Sequence, residues 1–304
     1  MEVHFLGTAG GVPSPARSLP CTALKRNGSV MLFDCGEGSQ RQLMMSPLSM
    51  MAVDCILISH HHGDHVTGVP GLLQTMSLFS RQRPLRVFGP TGTVAMMDRR
   101  FSNHDAEPCY KVEVRDLAPG DSFESDGMTV LAVGTDHSIP SLGYVLREPP
   151  RSGRFDAEAA RGLGVAEGPL FSDLQNGVAV EIEGRVVSPE EVMGPPRRGR
   201  SFSYSGDTRP CVAFIEASRG VDLMVHEATF ADDSIDRAAE SGHSTARQAA
   251  EVAKQAEVST LVLTHISPRI DDALTLEREA SEVIGTRNVV VAQDFDSLRI
   301  EYPE

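Results

Sequence analysis

The feature that most constrains this chain is a cluster of histidine and aspartate residues directly after a short apolar segment. Residues 54–59 have the length and composition of a buried strand, and they are followed in the pattern H-x-H-x-D-H by His60, His62, Asp64 and His65. Side chains two positions apart in an extended segment point to the same side, so His60 and His62 can share one metal ion. The glycine after them lets the chain turn Asp64 and His65 toward a second ion. The pattern predicts a dinuclear site, because imidazole and carboxylate groups are ligands of zinc-type ions.

Three further candidate ligands lie where other predicted strands end. His137 and Asp207 follow strand-like stretches, and His265 comes directly after the apolar residues 261–264. With the first motif they make seven ligands, which suffice for two ions if one carboxylate bridges them and a water completes the site. His137 alone is inconclusive, and Asp207 has a helix N-cap as its structural alternative. His61 alternates with the first two ligands, should point away from them, and is interpreted as a non-ligand.

Two later segments carry residues suited to proton transfer. His226 and Glu227 follow the apolar residues 223–225, and His243 stands just before a capping box that begins a helix. A glutamate beside an imidazole can fix its tautomer and pass a proton. Glu227 and His243 are therefore candidate acid–base residues. For both histidines the structural alternative is a ring whose nitrogens are satisfied by backbone groups.

The composition is that of an ordinary globular protein, with 40% hydrophobic and 23% charged residues. No apolar run approaches the ~20 residues of a membrane span, and no secretory signal is visible at the N-terminus. The five cysteines are scattered and never form a C-x-x-C pair, which argues against a cysteine zinc finger and favours a reducing compartment. We therefore expect a cytoplasmic protein without a membrane partner.

The charge pattern sets one stretch apart from the rest. A net charge of −14 argues against broad, non-specific binding to nucleic acid or membranes. Residues 148–200 nevertheless combine glycine and proline with clustered arginine, and arginine suits bidentate contacts with phosphate. Arg151, Arg154 and Arg161 are therefore candidate substrate-binding residues. The plainer alternative is a mobile surface loop in a chain whose arginine content reflects codon bias.

Outside that stretch, predicted strands and helices alternate along the chain. The strands fall into two sets, with the helices placed to cover them. This pattern predicts an α/β layered sandwich that forms a single domain over residues 1–304, with residues 148–200 as an insertion.

Taken together, these motifs resemble the tRNase Z family of the metallo-β-lactamase superfamily. H-x-H-x-D-H alone indicates only the superfamily, whereas the joint presence of H-E-A-T and H-S-T is far more specific. The matching segments span nearly the whole chain in family order: residues 5–8 (FLGT), 32–38 (LFDCGEG), 58–65 (ISHHHGDH), 72–76 (LLQTM), 204–210 (YSGDTRP), 226–230 (HEATF), 242–245 (GHST) and 263–267 (LTHIS).

The resemblance implies an αββα four-layer metallo-β-lactamase-like sandwich with an inserted flexible arm, a homodimer, and two zinc ions per chain. It implies that His60, His62 and His137 hold one ion, that Asp64, His65 and His265 hold the other, and that Asp207 bridges them. It also implies that Asp64, Glu227 and His243 are catalytic, the last two as a proton relay.

The same resemblance implies a zinc-dependent endoribonuclease that removes the 3′ trailer from precursor tRNA. The products would be a 3′-hydroxyl on the tRNA and a 5′-phosphate on the trailer, and residues 148–200 would be the arm that grips the tRNA. Gln175 stands where the family arm has lysine, and Ile270 where the final motif often has tyrosine. Neither departure touches the metal ligands, but the first bears on how strongly the arm contacts tRNA.

Two other functions fit part of the pattern. Another hydrolase on this scaffold, acting on a small phosphodiester, sulfate ester or thioester, would share the metal ligands but would leave the arginine-rich insertion without a purpose. A non-catalytic RNA-binding protein would use the metals structurally. Structural zinc sites are usually closed by four protein ligands, which the seven candidate residues do not resemble.

Overall fold

The structure is a computed structural model and describes residues 1–100, 108–270, 272–285 and 289–303. Its described residues divide into two compact units. The main unit comprises Met1–Arg147 and Arg200–Glu301, and the smaller unit comprises Glu148–Gly199 with Tyr302–Glu304. The predicted insertion at residues 148–200 covers the same stretch as the internal part of the smaller unit.

The first sheet of the main unit has seven strands. Numbered along the chain, these are β1 (Glu2–Gly7), β2 (Cys21–Arg26), β3 (Ser29–Phe33), β4 (Val53–Leu57), β5 (Leu85–Pro90), β6 (Val112–Leu117) and β16 (Ser297–Arg299). They lie in the order β16-β1-β2-β3-β4-β5-β6. Pairing is antiparallel from β16 to β3 and parallel from β3 to β6.

The second sheet also has seven strands. They are β7 (Ser122–Ser125), β8 (Met128–Gly134), β9 (Leu142–Arg147), β12 (Ser201–Tyr204), β13 (Leu223–Glu227), β14 (Thr260–Thr264) and β15 (Val289–Val291). Their order is β15-β14-β13-β12-β9-β8-β7, parallel from β15 to β12 and antiparallel from β12 to β7.

Alternation of side chains along the strands places one apolar core between the two sheets. Phe33 of β3 points into this space, where its ring lies 5.1 Å from that of Phe202 and 6.2 Å from that of Tyr144, both in the second sheet. Val30 and Leu32 of the same strand point to the opposite face, toward helices. The period of two in β3 thus separates a sheet–sheet core from a sheet–helix core.

Helices cover the outer faces of both sheets. Their bounds are α1 (Ser39–Met45), α2 (Gly63–Val66), α3 (Val69–Leu78), α4 (Thr93–Arg100), α7 (Val212–Ala217), α8 (Ile235–Ser241), α9 (Ala246–Gln255) and α10 (Leu274–Ile284). α1, α3 and α4 pack on the first sheet, and α7, α9 and α10 pack on the second. The helix–sheet–sheet–helix order confirms the predicted αββα class. Among the described residues, no helix combines the length and hydropathy needed to cross a bilayer.

The smaller unit has a hydrophobic core of its own, although its sequence resembles that of a surface loop. It holds α5 (Ala157–Gly162), α6 (Pro169–Gln175) and a hairpin of β10 (Val180–Ile182) with β11 (Arg185–Val187). Its buried residues are aliphatic, and they form a cluster of their own: Ala160, Val165, Leu174, Val180, Val187 and Val192. Because these residues are spaced irregularly among polar ones, neither a helical nor a strand period is visible in the sequence.

Each sheet has one edge strand that no apolar run marks in the sequence, β6 in the first sheet and β7 in the second. β6 alternates valine with charged residues, and β7 is a short, mostly polar segment. Polar and charged residues are common on edge strands, where they discourage pairing with other chains. A tight turn joins β2 to β3, where Asn27 and Gly28 adopt φ values of 47° and 85°, the left-handed values of a tight hairpin.

Candidate metal centre and active site

The candidate ligands meet because parallel strands of both sheets end at the same place. His60 lies three residues beyond β4, and Asp207 lies three residues beyond β12. His137 lies three residues beyond β8, and His265 directly follows β14. β8 runs in the same direction as β12, since both pair antiparallel with β9. These four side chains therefore all follow the carboxyl ends of strands.

The first group of candidate ligands consists of three histidines and one aspartate. The Nε2 of His60 lies 2.9 Å from the Nδ1 of His62, and the Nε2 of His137 lies 3.2 Å from that same Nδ1. The Oδ2 of Asp207 is 3.6 Å from the Nε2 of His60. Three ring nitrogens and a carboxylate oxygen therefore surround one point.

The second group consists of Asp64, His65 and His265, whose donor atoms also converge. The Nε2 atoms of the two histidines are 3.3 Å apart, and Asp64 Oδ2 lies 3.4 Å from each of them. Asp207 Oδ2 is 3.3 Å from both ring nitrogens. Asp207 is therefore within reach of both groups, in the position expected of a bridging carboxylate.

Hydrogen bonds on the far side of two of the rings show that the residues fit a divalent metal. His65 Nδ1 donates to Asp34 Oδ2 at 2.7 Å, and His137 Nδ1 donates to the Gly242 carbonyl oxygen at 2.8 Å. With Nδ1 protonated, the Nε2 of each ring presents a lone pair to the cluster. Lone pairs facing one another at about 3 Å are stabilised by a shared cation, and outer hydrogen bonds of this kind are typical of metal-ligating histidine.

Asp34 is a site residue that sequence reasoning missed. It follows β3, is fully buried, and accepts hydrogen bonds from the backbone and hydroxyl of Ser59 at 2.7 and 2.8 Å. It also accepts one from the Tyr204 hydroxyl at 2.7 Å, and burial together with the Asp34 charge raises the pKa of that hydroxyl. The available signal was its place at the end of a strand, within the segment LFDCGEG. Its φ of 60° lies in the left-handed region that residues other than glycine rarely adopt.

The two candidate acid–base residues are in direct contact. The Nδ1 of His243 lies 2.8 Å from Glu227 Oε1. Burial lowers the pKa of His243, but the Glu227 charge and hydrogen bond, aided by Asp207 at 3.9 Å, outweigh it and raise the pKa to about 9. His243 follows Gly242, which ends α8 with a φ of 83°. A side chain on Gly242 would place its Cβ 2.9 Å from His137 Nδ1, so glycine is required at this close approach.

The two other histidines of these motifs lie outside the ligand groups. His61 turns toward the turn before α4, where its Nε2 is 2.8 Å from Thr93 Oγ1. His226 is buried, and its Nδ1 donates to the carbonyl oxygen of Glu227 at 2.8 Å. Both rings thus have structural contacts of their own.

The three predicted substrate-binding arginines belong to the smaller unit and differ in their surroundings. Arg151 donates to the carbonyl oxygen of Pro303 at 3.0 Å and stacks 3.9 Å from the Tyr302 ring centre. Arg161 pairs with Glu167 at 2.6 Å. Arg154 is exposed, and within the described residues its side chain has no hydrogen bond or ion pair. Arg154 is therefore the one of the three without a side-chain partner among the described residues.

The protein class follows from the sandwich and its ligand groups. A family model described as "Beta-lactamase superfamily domain" matches residues 30–155 and 192–266, and its interruption lies within the smaller unit. The structure superimposes on human tRNase Z, short form, with a TM-score of 0.73 and 29% identity, covering 99% of this chain and 100% of that one. The match and the donor set define a metallohydrolase of the β-lactamase superfamily.

Sequence relatives narrow the class to one family. Ribonuclease Z of Methanosarcina acetivorans is 48% identical over 303 residues, which is 99% of each chain. Ribonuclease Z of Myxococcus xanthus is 42% identical over 306 residues, covering 100% of this chain and 98% of the relative. The chain belongs to the ribonuclease Z family, which confirms the resemblance seen in its motifs.

The position of Asp207 between the two ligand groups leads to a prediction about metal content. Asp207→Ala should weaken metal retention at both groups, because Asp207 Oδ2 faces ring nitrogens of each. His61→Gln is the matched control, since it changes a neighbouring histidine that faces away. Elemental analysis after dialysis should show lower divalent metal per chain in the first variant only. Unchanged metal content in Asp207→Ala would contradict a bridging role.

Proposed function

We propose that this chain cleaves precursor tRNA with two zinc ions, leaving a 3′-hydroxyl on the tRNA and a 5′-phosphate on the trailer. As a member of the ribonuclease Z family it is a tRNA 3′-processing endoribonuclease and a phosphodiester hydrolase. The observation that carries the mechanism is the contact between the ligand groups and an acid–base pair, in which His243 Nδ1 lies 3.9 Å from Asp207.

Two zinc ions per chain are the proposed cofactors. The ligands would be His60, His62 and His137 for one ion, Asp64, His65 and His265 for the other, and Asp207 for both. Such ions supply hydroxide near neutral pH and neutralise charge that develops on phosphate oxygens. The mixture of imidazole and carboxylate donors suits zinc better than the harder ions, which prefer oxygen ligands alone.

Asp64 is proposed to orient the attacking water as well as to bind metal. Burial raises its pKa, but hydrogen bonds with His265 and His65 outweigh burial and hold the pKa well below its usual range. The carboxylate is therefore ionised at neutral pH and can accept a hydrogen bond from water. A backbone N–H from Gly11 donates to its Oδ2 at 3.0 Å, which fixes the direction of the carboxylate.

His243 is proposed to be the general acid. Its raised pKa keeps the ring protonated at neutral pH, and Glu227 holds Nδ1, so Nε2 carries the proton that can be transferred. In this cleavage the leaving atom is the ribose 3′-oxygen of the tRNA, a poor leaving group that needs protonation. Glu227 fixes the ring and stabilises its positive charge.

The smaller unit is proposed to bind the tRNA body through local contacts. Glu148–Gly199 contains six arginines but nine acidic residues, so the segment has no net positive charge. Two of the candidate arginines are engaged by partners within the unit, which leaves exposed Arg154 as the principal phosphate contact. The homodimer and the cytoplasmic location remain predictions from the family resemblance and from the composition.

The direct test uses purified protein and a tRNA transcript with a 3′ extension. We expect about two zinc ions per chain by elemental analysis, and endonucleolytic cleavage with the stated product ends, abolished by chelation. Hydrolysis of a small phosphodiester without cleavage of the transcript would favour the small-substrate hydrolase instead. Active protein with one ion or none would contradict the dinuclear site.

The acid–base pair gives a prediction with a sign in pH. His243→Ala should lower turnover on precursor tRNA by roughly 10²–10⁴-fold, the range for loss of a general acid. Because a general acid must be protonated, activity falls as pH rises through the pKa of His243. Glu227→Gln removes the charge that raises this pKa, so the alkaline limb of the pH–rate profile should move to lower pH.

The control for both variants is bis-p-nitrophenyl phosphate, whose leaving phenol needs no proton. Both variants should recover much of their rate on this substrate and retain their zinc. Loss of zinc from His243→Ala would make His243 a ligand, and an unchanged rate on tRNA would leave it a structural residue.

Arg154 provides the test of the smaller unit. Arg154→Ala should raise KM for precursor tRNA without changing hydrolysis of the small diester. The plot of the logarithm of tRNA affinity against the logarithm of salt concentration should become shallower by about the amount that one phosphate contact contributes. Arg161→Ala is the matched control, because the Arg161 side chain is already paired with Glu167. Equal effects of the two substitutions, or a loss on both substrates, would show that the unit supports the fold and not the RNA contact.

A further inference from the structure

Thr229 lies where one metal-ligand group meets the acid–base pair, and its side chain has no role in the function proposed above. Its hydroxyl oxygen is 2.7 Å from Glu227 Oε2 and 2.8 Å from the Nδ1 of His265. It also lies 3.3 Å from the Nδ1 of His243. Only 6% of Thr229 is exposed, so water does not compete for these contacts. One hydroxyl therefore touches a candidate metal ligand and both members of the proton relay.

The protons in these contacts can be assigned from the chemistry of the groups. An ionised carboxylate only accepts hydrogen bonds, so the single hydroxyl proton of Thr229 is donated to Glu227. Toward His265 the hydroxyl oxygen then offers only lone pairs, which means that the Nδ1 of this ring is the donor. The Nε2 of His265 keeps its lone pair and faces Asp64 at 3.4 Å and Asp207 at 3.3 Å. The hydroxyl thus selects the tautomer that can bind metal.

The same hydroxyl completes the hydrogen bonds of Glu227. Oε1 accepts from His243 Nδ1 at 2.8 Å and from the Thr208 backbone at 3.0 Å. Oε2 accepts from the backbone of Thr229 at 3.1 Å and from its hydroxyl at 2.7 Å. A buried carboxylate with all four positions satisfied has one stable orientation, and that orientation sets the direction of the His243 ring.

We propose that Thr229 is a positioning residue that couples the group of Asp64, His65 and His265 to the general-acid pair. One hydroxyl orients a ligand on one side and the carboxylate that holds the acid on the other. The inferred effect on the general acid rests on the function proposed above, whereas the inferred effect on metal binding does not.

The other ligand group provides an internal contrast. His137 is oriented by the Gly242 carbonyl oxygen, and His60 Nδ1 lies 3.0 Å from the Ser59 hydroxyl. Neither ring contacts Thr229 through a hydrogen bond in the described structure. Loss of the Thr229 hydroxyl should therefore affect one metal-binding step and leave the other unchanged.

The test compares Thr229→Val, which keeps the shape and removes the hydroxyl, with Thr229→Ser, which keeps the hydroxyl. Zinc binding to metal-free protein is measured by competition with a chromogenic chelator. In the valine variant we expect one of two binding steps to weaken roughly 10–100-fold, the usual cost of losing an outer hydrogen bond to a ligand. The serine variant should bind zinc like the wild-type protein.

Turnover at saturating zinc tests whether Thr229 also aligns the general acid. The valine variant should remain slower than wild type on precursor tRNA by roughly 10-fold or more, because the general acid is no longer aligned. On bis-p-nitrophenyl phosphate its rate should approach that of wild type, since this leaving group needs no proton. Thr229→Ser should restore tRNA turnover, and Thr229→Ala repeats the test should the valine variant fail to fold.

Two results would overturn the coupling. Full recovery of tRNA turnover at saturating zinc would limit Thr229 to the metal ligand, and unchanged zinc affinity would limit it to the acid–base pair. Failure of the proposed function is a separate outcome, because wild-type protein would then not cleave precursor tRNA at all. In that case the zinc measurement still tests whether Thr229 orients a metal ligand. Hydrolysis of a diester with an alkyl leaving group would test whether Thr229 aligns the general acid.

Discussion

A buried negative charge, the carboxylate of Asp34, joins the two sheets at the end where the candidate ligands gather. It accepts hydrogen bonds from Ser59, which follows β4 of the first sheet, and from Tyr204 of β12 in the second. A carboxylate removed from water is costly unless it is paired and fully hydrogen-bonded. Here the pairing is with His65 at 2.7 Å. Satisfying this charge therefore requires both sheets to be in place, and the contact with His65 orients a candidate metal ligand.

The main features of the fold and the convergence of the candidate ligands were predictable because they depend on local patterns. H-x-H-x-D-H needs only one loop, and His137, Asp207 and His265 each follow a recognisable strand. Because parallel strands end at a common edge, separate motifs at strand ends imply one site. The alternation of strands and helices predicted an α/β layered sandwich, and the family resemblance implied its helix–sheet–sheet–helix order.

The residue roles that the sequence did not reveal depend on contacts with residues distant along the chain. The role of Asp34 depends on His65, 31 positions away, and that of Thr229 on His265, 36 positions away. Arg151, a predicted substrate contact, has its guanidinium against residues 302 and 303, which the sequence pattern does not indicate. Composition indicates that an arginine is present, whereas only the fold shows which arginine already has a partner.

The ligand set also bears on how this protein is made. Donor atoms that must meet within a few ångströms are separated by up to 201 positions, as in the contact between Asp64 and His265. During synthesis the chain emerges from its N-terminus, and contacts between distant segments form late. A nascent chain that has not yet exposed β14 and the residue after it therefore lacks His265, a candidate ligand of the second group. If His265 binds metal as proposed, we expect hydrolytic activity only after this residue has been synthesised, and a chain that ends before it should be inactive.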